Sequence, residues 1–131
     1  MTEKRLKDFT ENYVSLGADG EIKSYGGGDS FWNLSGEQLD KIGENWLITE
    51  FYFEEDWKTW EMHPNGEEIV YLLTGSMDLI LDKDGNQEII ELRGKGSVII
   101  PQNTWHTAKV FEPSNMLLIT LGKDTKTRPI K

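Results

Sequence analysis

Between Trp46 and Leu121 the chain alternates apolar and polar residues with a period of two, in short runs cut by tight turns. A helical face repeats about every 3.6 residues, so this rhythm excludes long helices and demands strands. Trp46–Phe53 is rich in aromatic and β-branched residues, as a strand should be. Residues 57–63 follow the acidic Glu54-Glu55-Asp56 turn, and Gly75 separates 68–74 from 76–82. Asp84-Gly85 is a strong hairpin signal leading to 87–93. Gly94-Lys95-Gly96 precedes 97–101, and Glu112-Pro113-Ser114 splits 105–111 from 115–121. About eight short strands at close spacing make an all-β sandwich or barrel.

The flanking segments read differently. Residues 1–45 form an N-terminal arm, with a short frayed helix around 3–12 and a Gly26-Gly27-Gly28-Asp29-Ser30 loop. Ser35 to Gly43 reads as one short helix packed on the barrel. Ser35 is its N-cap, Gln38 completes a capping box, and Gly43 stops it. Residues 46–122 make the barrel, and the polar tail 123–131 lies along the surface. The 131 residues therefore build a single domain around one core.

Acidic residues outnumber basic ones by 23 to 14, a formal charge of −9. Such a field repels nucleic acid and anionic lipid, both of which are bound by Lys and Arg on phosphate. Nothing approaches the run of about 18 apolar residues that spans a membrane. With no apolar signal core after Met1-Thr2-Glu3-Lys4-Arg5, the chain is expected to be cytoplasmic. The absence of cysteine removes disulfides, thiolate metal sites and thiol nucleophiles.

Strand alternation shows which polar residues turn inward. Glu61 and His63 are two apart and share a face with Trp57 and Thr59, while Glu68 shares its face with Val70 and Leu72. His106 lies with Ala108 and Val110, and Met77, Leu79 and Leu81 are a core-facing set. A barrel interior built this way is apolar at depth, with two carboxylates and two imidazoles near one mouth. His63 and His106 are the only histidines in the chain. Burying four such groups without partners costs several kcal/mol, and a divalent cation would satisfy them together. Two imidazoles with carboxylates suit iron or manganese, and a zinc site with an open position is chemically allowed. The competing reading is two hydrogen-bonded or surface histidines, with Glu61 paired to a lysine. Trp57 lines the interior beside His63 and Phe51 and Phe53 flank the pocket, although all three equally suit core packing.

At these residues the chain resembles the cupin superfamily. The family's first motif, G-x5-H-x-H-x3,4-E-x6-G, is matched by Glu61-Met62-His63, four residues, Glu68, six residues and Gly75. The second, G-x5-P-x-G-x2-H-x3-N, is matched by Pro101-Gln102-Asn103 and Trp105-His106, with Gly96 separated from Pro101 by four residues and so one residue displaced from the leading glycine. Glu61 stands where the first histidine is expected, Asn103 replaces the glycine, and Val110 stands at the final asparagine. Asn tolerates the positive φ that such a glycine supplies. The resemblance covers about residues 46–121 and is similar to a subgroup of single-domain bacterial cupins. It implies a jelly-roll barrel holding iron, manganese, nickel or zinc through His63, Glu68, His106 and Glu61.

Two functions follow from the resemblance. One is a metal-dependent enzyme of isomerase, dioxygenase or related lyase type on a small polar molecule, with Glu61 a fourth ligand or a general base. The other is a non-catalytic barrel that binds or senses a small molecule. Ile69, Tyr71 and Leu73 oppose the Glu68 face and need a cover, which points to a homodimer.

Overall fold

A computed structural model describes residues 5–130. Nine strands and two short helices run in the order β1 (Asn12–Leu16), β2 (Ile22–Gly26), α1 (Asp29–Trp32), α2 (Gly36–Ile42), β3 (Trp46–Phe53), β4 (Thr59–Met62), β5 (Glu68–Lys83), β6 (Asn86–Arg93), β7 (Gly96–Ile100), β8 (Trp105–Leu121) and β9 (Lys126–Pro129). All pairings are antiparallel. One path runs β2-β1-β3-β8-β4-β9, and β5 joins it through β8 while also pairing with β6 and β7. The protein is all-β, as the alternation requires.

The long strands β5 and β8 carry the fold, each bending once where the sequence shows a break. Gly75 has φ 109°, and a Cβ there would fall 2.2 Å from Ser114 Oγ. Any side chain at this corner would therefore collide with β8. The register slips between Leu72 and Met77, and inward positions change parity: Val70 and Leu72 before the corner, Met77, Leu79 and Leu81 after it. This is a β-bulge, which bends a strand without ending it. The apparent breaks at Gly75 and at 112–114 are thus corners within single strands.

The core is the inward set Val70, Leu72, Met77, Leu79, Leu81, Leu92, Ile100, Ala108, Met116 and Leu118. Full burial of each of the larger side chains contributes about 1.5–3 kcal/mol.

Three expectations for the flanks are corrected. First, residues 12–26 form the β1–β2 hairpin in place of a loop-like arm, and Tyr13, Val14 and Ser15 are buried against β3. The turn carries Asp19-Gly20, with Asp19 Oδ1 accepting from the Glu21 amide at 3.0 Å. Second, the stretch before it is not helical from residue 5 onward, and residues 3 and 4 of the expected frayed helix lie outside the described residues. Asp8 Oδ1 accepts from the Thr10 and Glu11 amides, both at 2.9 Å, which fixes a turn that competes with a helix. Third, two short helices form, not one. The capping box of α2 is present, with Ser35 Oγ accepting from the Gln38 amide at 3.1 Å. α1, inside the glycine-rich stretch, drives Phe31 into a cluster with Tyr13. The tail is largely exposed, and part of it is ordered as a strand: β9 pairs with β4 over residues 126–129.

Candidate metal centre

Glu61 and His106 are direct cross-strand partners on β4 and β8. Side chains in that relation leave the same face of the sheet. His63 follows β4 and is fixed by its carbonyl, which accepts from the Asn103 amide at 3.1 Å. Asn103 has φ 62°, the conformation a glycine would otherwise supply. Glu68, the first residue of β5, enters from the next strand. His106 is 0% exposed, Glu68 2% and His63 7%, so three ionisable groups meet with almost no water.

The spacing among them is tight. His106 Nε2 lies 3.1 Å from Glu68 Oε1, His63 Nε2 lies 3.4 Å from Glu68 Oε2, and His63 Nε2 lies 4.0 Å from Glu61 Oε1. Ligand atoms of Glu61, His63 and His106 all fall within 4.8 Å of one another, so these three residues form a possible metal-binding triad. Bonds of about 2.0–2.2 Å to a shared cation leave neighbouring donors about 2.8–3.6 Å apart. The observed spacing is close to that without any rearrangement of the backbone.

Each imidazole is held by its outer nitrogen. His106 Nδ1 lies 3.0 Å from the carbonyl oxygen of Thr104, which can only accept, so Nδ1 carries the proton. His63 Nδ1 lies 2.8 Å from Thr125 Oγ1, and that hydroxyl donates its single proton to the Gly122 carbonyl at 2.7 Å. The hydroxyl must therefore accept from His63, and Nδ1 again carries the proton. Both rings consequently turn an Nε2 lone pair inward when neutral, the tautomer a metal requires. Glu68 Oε2 accepts from Thr120 Oγ1 at 2.5 Å, while Oε1 faces His106.

Three inward atoms, His63 Nε2, Glu68 Oε1 and His106 Nε2, are buried with no hydrogen-bond partner among the described residues. The 3.1 Å contact between His106 and Glu68 is close but misaligned for a hydrogen bond. Orphaned buried polar atoms are costly, and three converging on one point is the signature of a missing shared partner. Electrostatics agree. Burial first, and then the Glu68 carboxylate, push the Glu61 carboxyl above its usual range. Burial would also raise Glu68, but His106 and then His63 outweigh it and hold Glu68 at about 2. Burial would lower His106, and the Glu68 carboxylate reverses that and raises it. The donor set of two imidazoles and two carboxylates fits a divalent metal such as iron, manganese, nickel or zinc.

A cavity of about 930 Å³ opens from this centre toward α1 and α2. Phe51, Phe53 and Trp57 all line it, and the Trp57 ring lies 6.1 Å from that of His106. Trp60 and Trp105 face the other way, on either side of Arg128, whose guanidinium carbon sits 5.3 Å and 4.5 Å from their rings. Thr125, Thr120 and Thr104 escaped the sequence reading. Nothing in a polar threonine-containing tail marks Thr125 as the partner of a residue 62 positions away.

No protein-family profile matches the sequence, and no curated protein matches it. Solved structures do. A cupin superfamily protein from Desulfitobacterium hafniense matches with a TM-score of 0.50 and 22% identity, over 59% of this chain and 67% of that one. The fold is that of the cupins. The S161A mutant of Bacillus subtilis oxalate decarboxylase shares the cupin barrel with a TM-score of 0.52 and 18% identity, over 69% of this chain and 25% of its own. Peruvianin-I, a cysteine peptidase from Thevetia peruviana latex, gives 0.55 and 12%, over 66% of this chain and 60% of its own. With no cysteine here, that likeness is one of architecture alone. The cupin barrel explains why residues from β4, β5 and β8 converge: their inward faces meet at one mouth.

Proposed function

We propose that this cupin is a metal-dependent enzyme acting on a small polar molecule. His63, Glu68 and His106 would hold a divalent iron, manganese, nickel or zinc ion, with Glu61 beside them as fourth ligand or general base. The observation that carries this reading is the convergence of three buried, partnerless atoms, two of them imidazole nitrogens fixed in the ligating tautomer. A bound divalent ion supplies Lewis acidity and open positions for a carbonyl or for dioxygen. Isomerase, dioxygenase and lyase reactions all fall within that chemistry.

The chain's own residues have separate tasks. Thr104 and Thr125 orient the rings, and Thr120 steadies Glu68. Of the two carboxylates at the centre Glu61 is the more open, its side chain 36% exposed against 3% for Glu68, and its raised affinity for a proton suits proton transfer with a molecule bound there. Phe51, Phe53 and Trp57 give the approach to the centre an apolar wall. A second reading, a barrel that binds or senses a small molecule without turnover, is favoured by the carboxylate at a position where cupins carry a histidine.

Metal analysis by plasma mass spectrometry on tag-free protein tests the assignment. About one ion per chain, lost in His106→Ala, is the expected result. Retention in Glu61→Ala would make Glu61 a base instead of a ligand. Protein that stays metal-free after reconstitution would leave the binding barrel as the function.

We also infer a homodimer in the cytoplasm. No helix among the described residues is long and apolar enough to cross a membrane. On the outer face, Ile99, Ile69, Ile119 and Ile48 are cross-strand neighbours in one row, with Ile99 60% and Ile69 38% exposed. An apolar row of that kind suits a second copy. Light scattering behind size exclusion should return twice the 15.0 kDa chain mass; a monomer would refute the dimer.

A further inference from the structure

The cavity's walls and its mouth have opposite characters, and together they specify a ligand. Along one wall the rings are continuous. Trp32 stacks on Phe51 at 6.3 Å and 24°, Phe51 meets Phe53 at 5.7 Å, and Phe53 meets Trp57 at 5.7 Å. Trp32 remains 47% exposed at the outer end. This wall offers π-faces from solvent to the metal centre.

Charge around the same space has one sign. Six carboxylates and a single ammonium, Lys58, line the cavity. Lys58 is already engaged, its Nζ 3.0 Å from Glu55 Oε1. Asp56 and Asp40 are held in place by the Val110 amide at 2.8 Å and the Asp124 amide at 3.2 Å, and neither faces a cation among the described residues. Glu54 has no partner there either. A divalent ion at the centre would be balanced by Glu61 and Glu68, so the carboxylates of the mouth stay uncompensated even in the loaded protein. Field lines from like charges are concentrated in a cleft with low-dielectric walls. An organic anion would be repelled at the mouth and find no unpaired ammonium or guanidinium among the described residues that line the cavity. A cation would be drawn in, and the ring faces would then stabilise it in place of water.

We propose that the cavity takes a small organic cation, an ammonium carried on a compact apolar body, and rejects organic anions. This rests on reading the cavity as the substrate pocket, and it deepens that reading by naming the substrate class.

Three probes of matched shape test it: choline, its neutral counterpart 3,3-dimethyl-1-butanol, and 3,3-dimethylbutanoate. Binding is followed by calorimetry and by quenching of tryptophan fluorescence, since Trp32 and Trp57 border the cavity. Choline should bind about tenfold more tightly than the alcohol. The carboxylate should not bind measurably, and raising the salt should weaken choline alone. Trp32→Ala and Glu54→Gln, both at exposed positions, should each weaken choline about threefold while leaving the alcohol unchanged. The same titrations on metal-free protein and on His106→Ala separate this proposal from the metal assignment. Removing a positive ion makes the cavity more negative, so the preference for choline should persist or grow there. Equal affinity for choline and the alcohol, no binding of either, or preference for the carboxylate would overturn the proposal, whatever the metal content.

Discussion

The two imidazoles at the centre of the barrel differ in how they are held. His106 is oriented by the Thr104 carbonyl two residues away on its own chain segment. His63 is oriented by Thr125, 62 residues downstream, through a hydroxyl that itself leans on Gly122. One ring is fixed by local backbone that no side-chain substitution can remove. The other depends on a C-terminal strand docking correctly against β4. β9 is pinned by Arg128, which lies between Trp60 and Trp105 and reaches Asp82 Oδ2 at 3.2 Å. The same imidazole orientation is thus built once from secondary structure and once from tertiary structure, and the second should be the weaker point.

The largest break comes from His106 itself. His106→Ala should abolish metal binding, and in metal-free protein it leaves Glu68 buried beside one fewer imidazole. A loss of about 3 kcal/mol in urea denaturation is expected, because an uncompensated buried charge is left behind. Unchanged stability would mean that Glu68 takes up a proton when the ring is lost.

Acidity sharpens the comparison without mutation. Glu68 falls from 4.5 unfolded to about 2 folded, so its contribution is present above pH 4.5 and fades as pH drops toward 2. That shift corresponds to about 3 kcal/mol. His106 shifts up from 6.5, so its contribution is present below 6.5 and fades as pH rises through its folded value. Glu61 shifts up from 4.5, which also costs stability as pH rises. Metal-free protein should therefore be most stable near pH 4.5, losing stability below it as Glu68 is protonated and above it as Glu61 and then His106 lose their protons. Chemical denaturation across pH measures it; a maximum above pH 8 would contradict the assignment.

Removing the distant support is a smaller perturbation. Thr125→Val should weaken metal affinity about 10- to 100-fold, the usual cost of losing a ligand's outer partner. Nitrogen NMR should show the tautomer of His63 becoming mixed while His106 keeps its Nδ1 proton. If both rings respond equally, the two supports are not independent.

The smallest effect is expected from Arg128→Ala. Loss of its two ring contacts should cost about 1 kcal/mol and speed hydrogen exchange in β9 before any other strand. Metal affinity should fall less than in Thr125→Val. Exchange that rises uniformly across the barrel would show that β9 is not a separate unit.

Much of the architecture could be read from residues alone. Period-two runs with glycine and Asp-Gly turns dictate antiparallel strands, since each choice fixes the next residue's face. The inward grouping of Glu61, His63, Glu68 and His106 follows from that alternation and from motif spacing. Other features could not be read this way. The β1–β2 hairpin is legible only through its burial against β3, because each strand is five residues long and β1 buries Tyr13, Val14 and Ser15 in a row without alternation. The bend at Gly75 looks like a chain break until Ser114 is seen pressed against it. Helix α1 forms where glycines argue for a loop, because Phe31 gains a cluster with Tyr13.

Sequence by itself determined the strand character between residues 46 and 121, its inward faces and the candidate donor groups, because alternation and turn chemistry act between near neighbours. Tertiary structure alone decided which tautomer His63 presents, where the tail docks, and that an aromatic wall and an acidic mouth enclose one space. Those outcomes depend on residues far apart in the chain, and contacts over such separations leave no periodic trace.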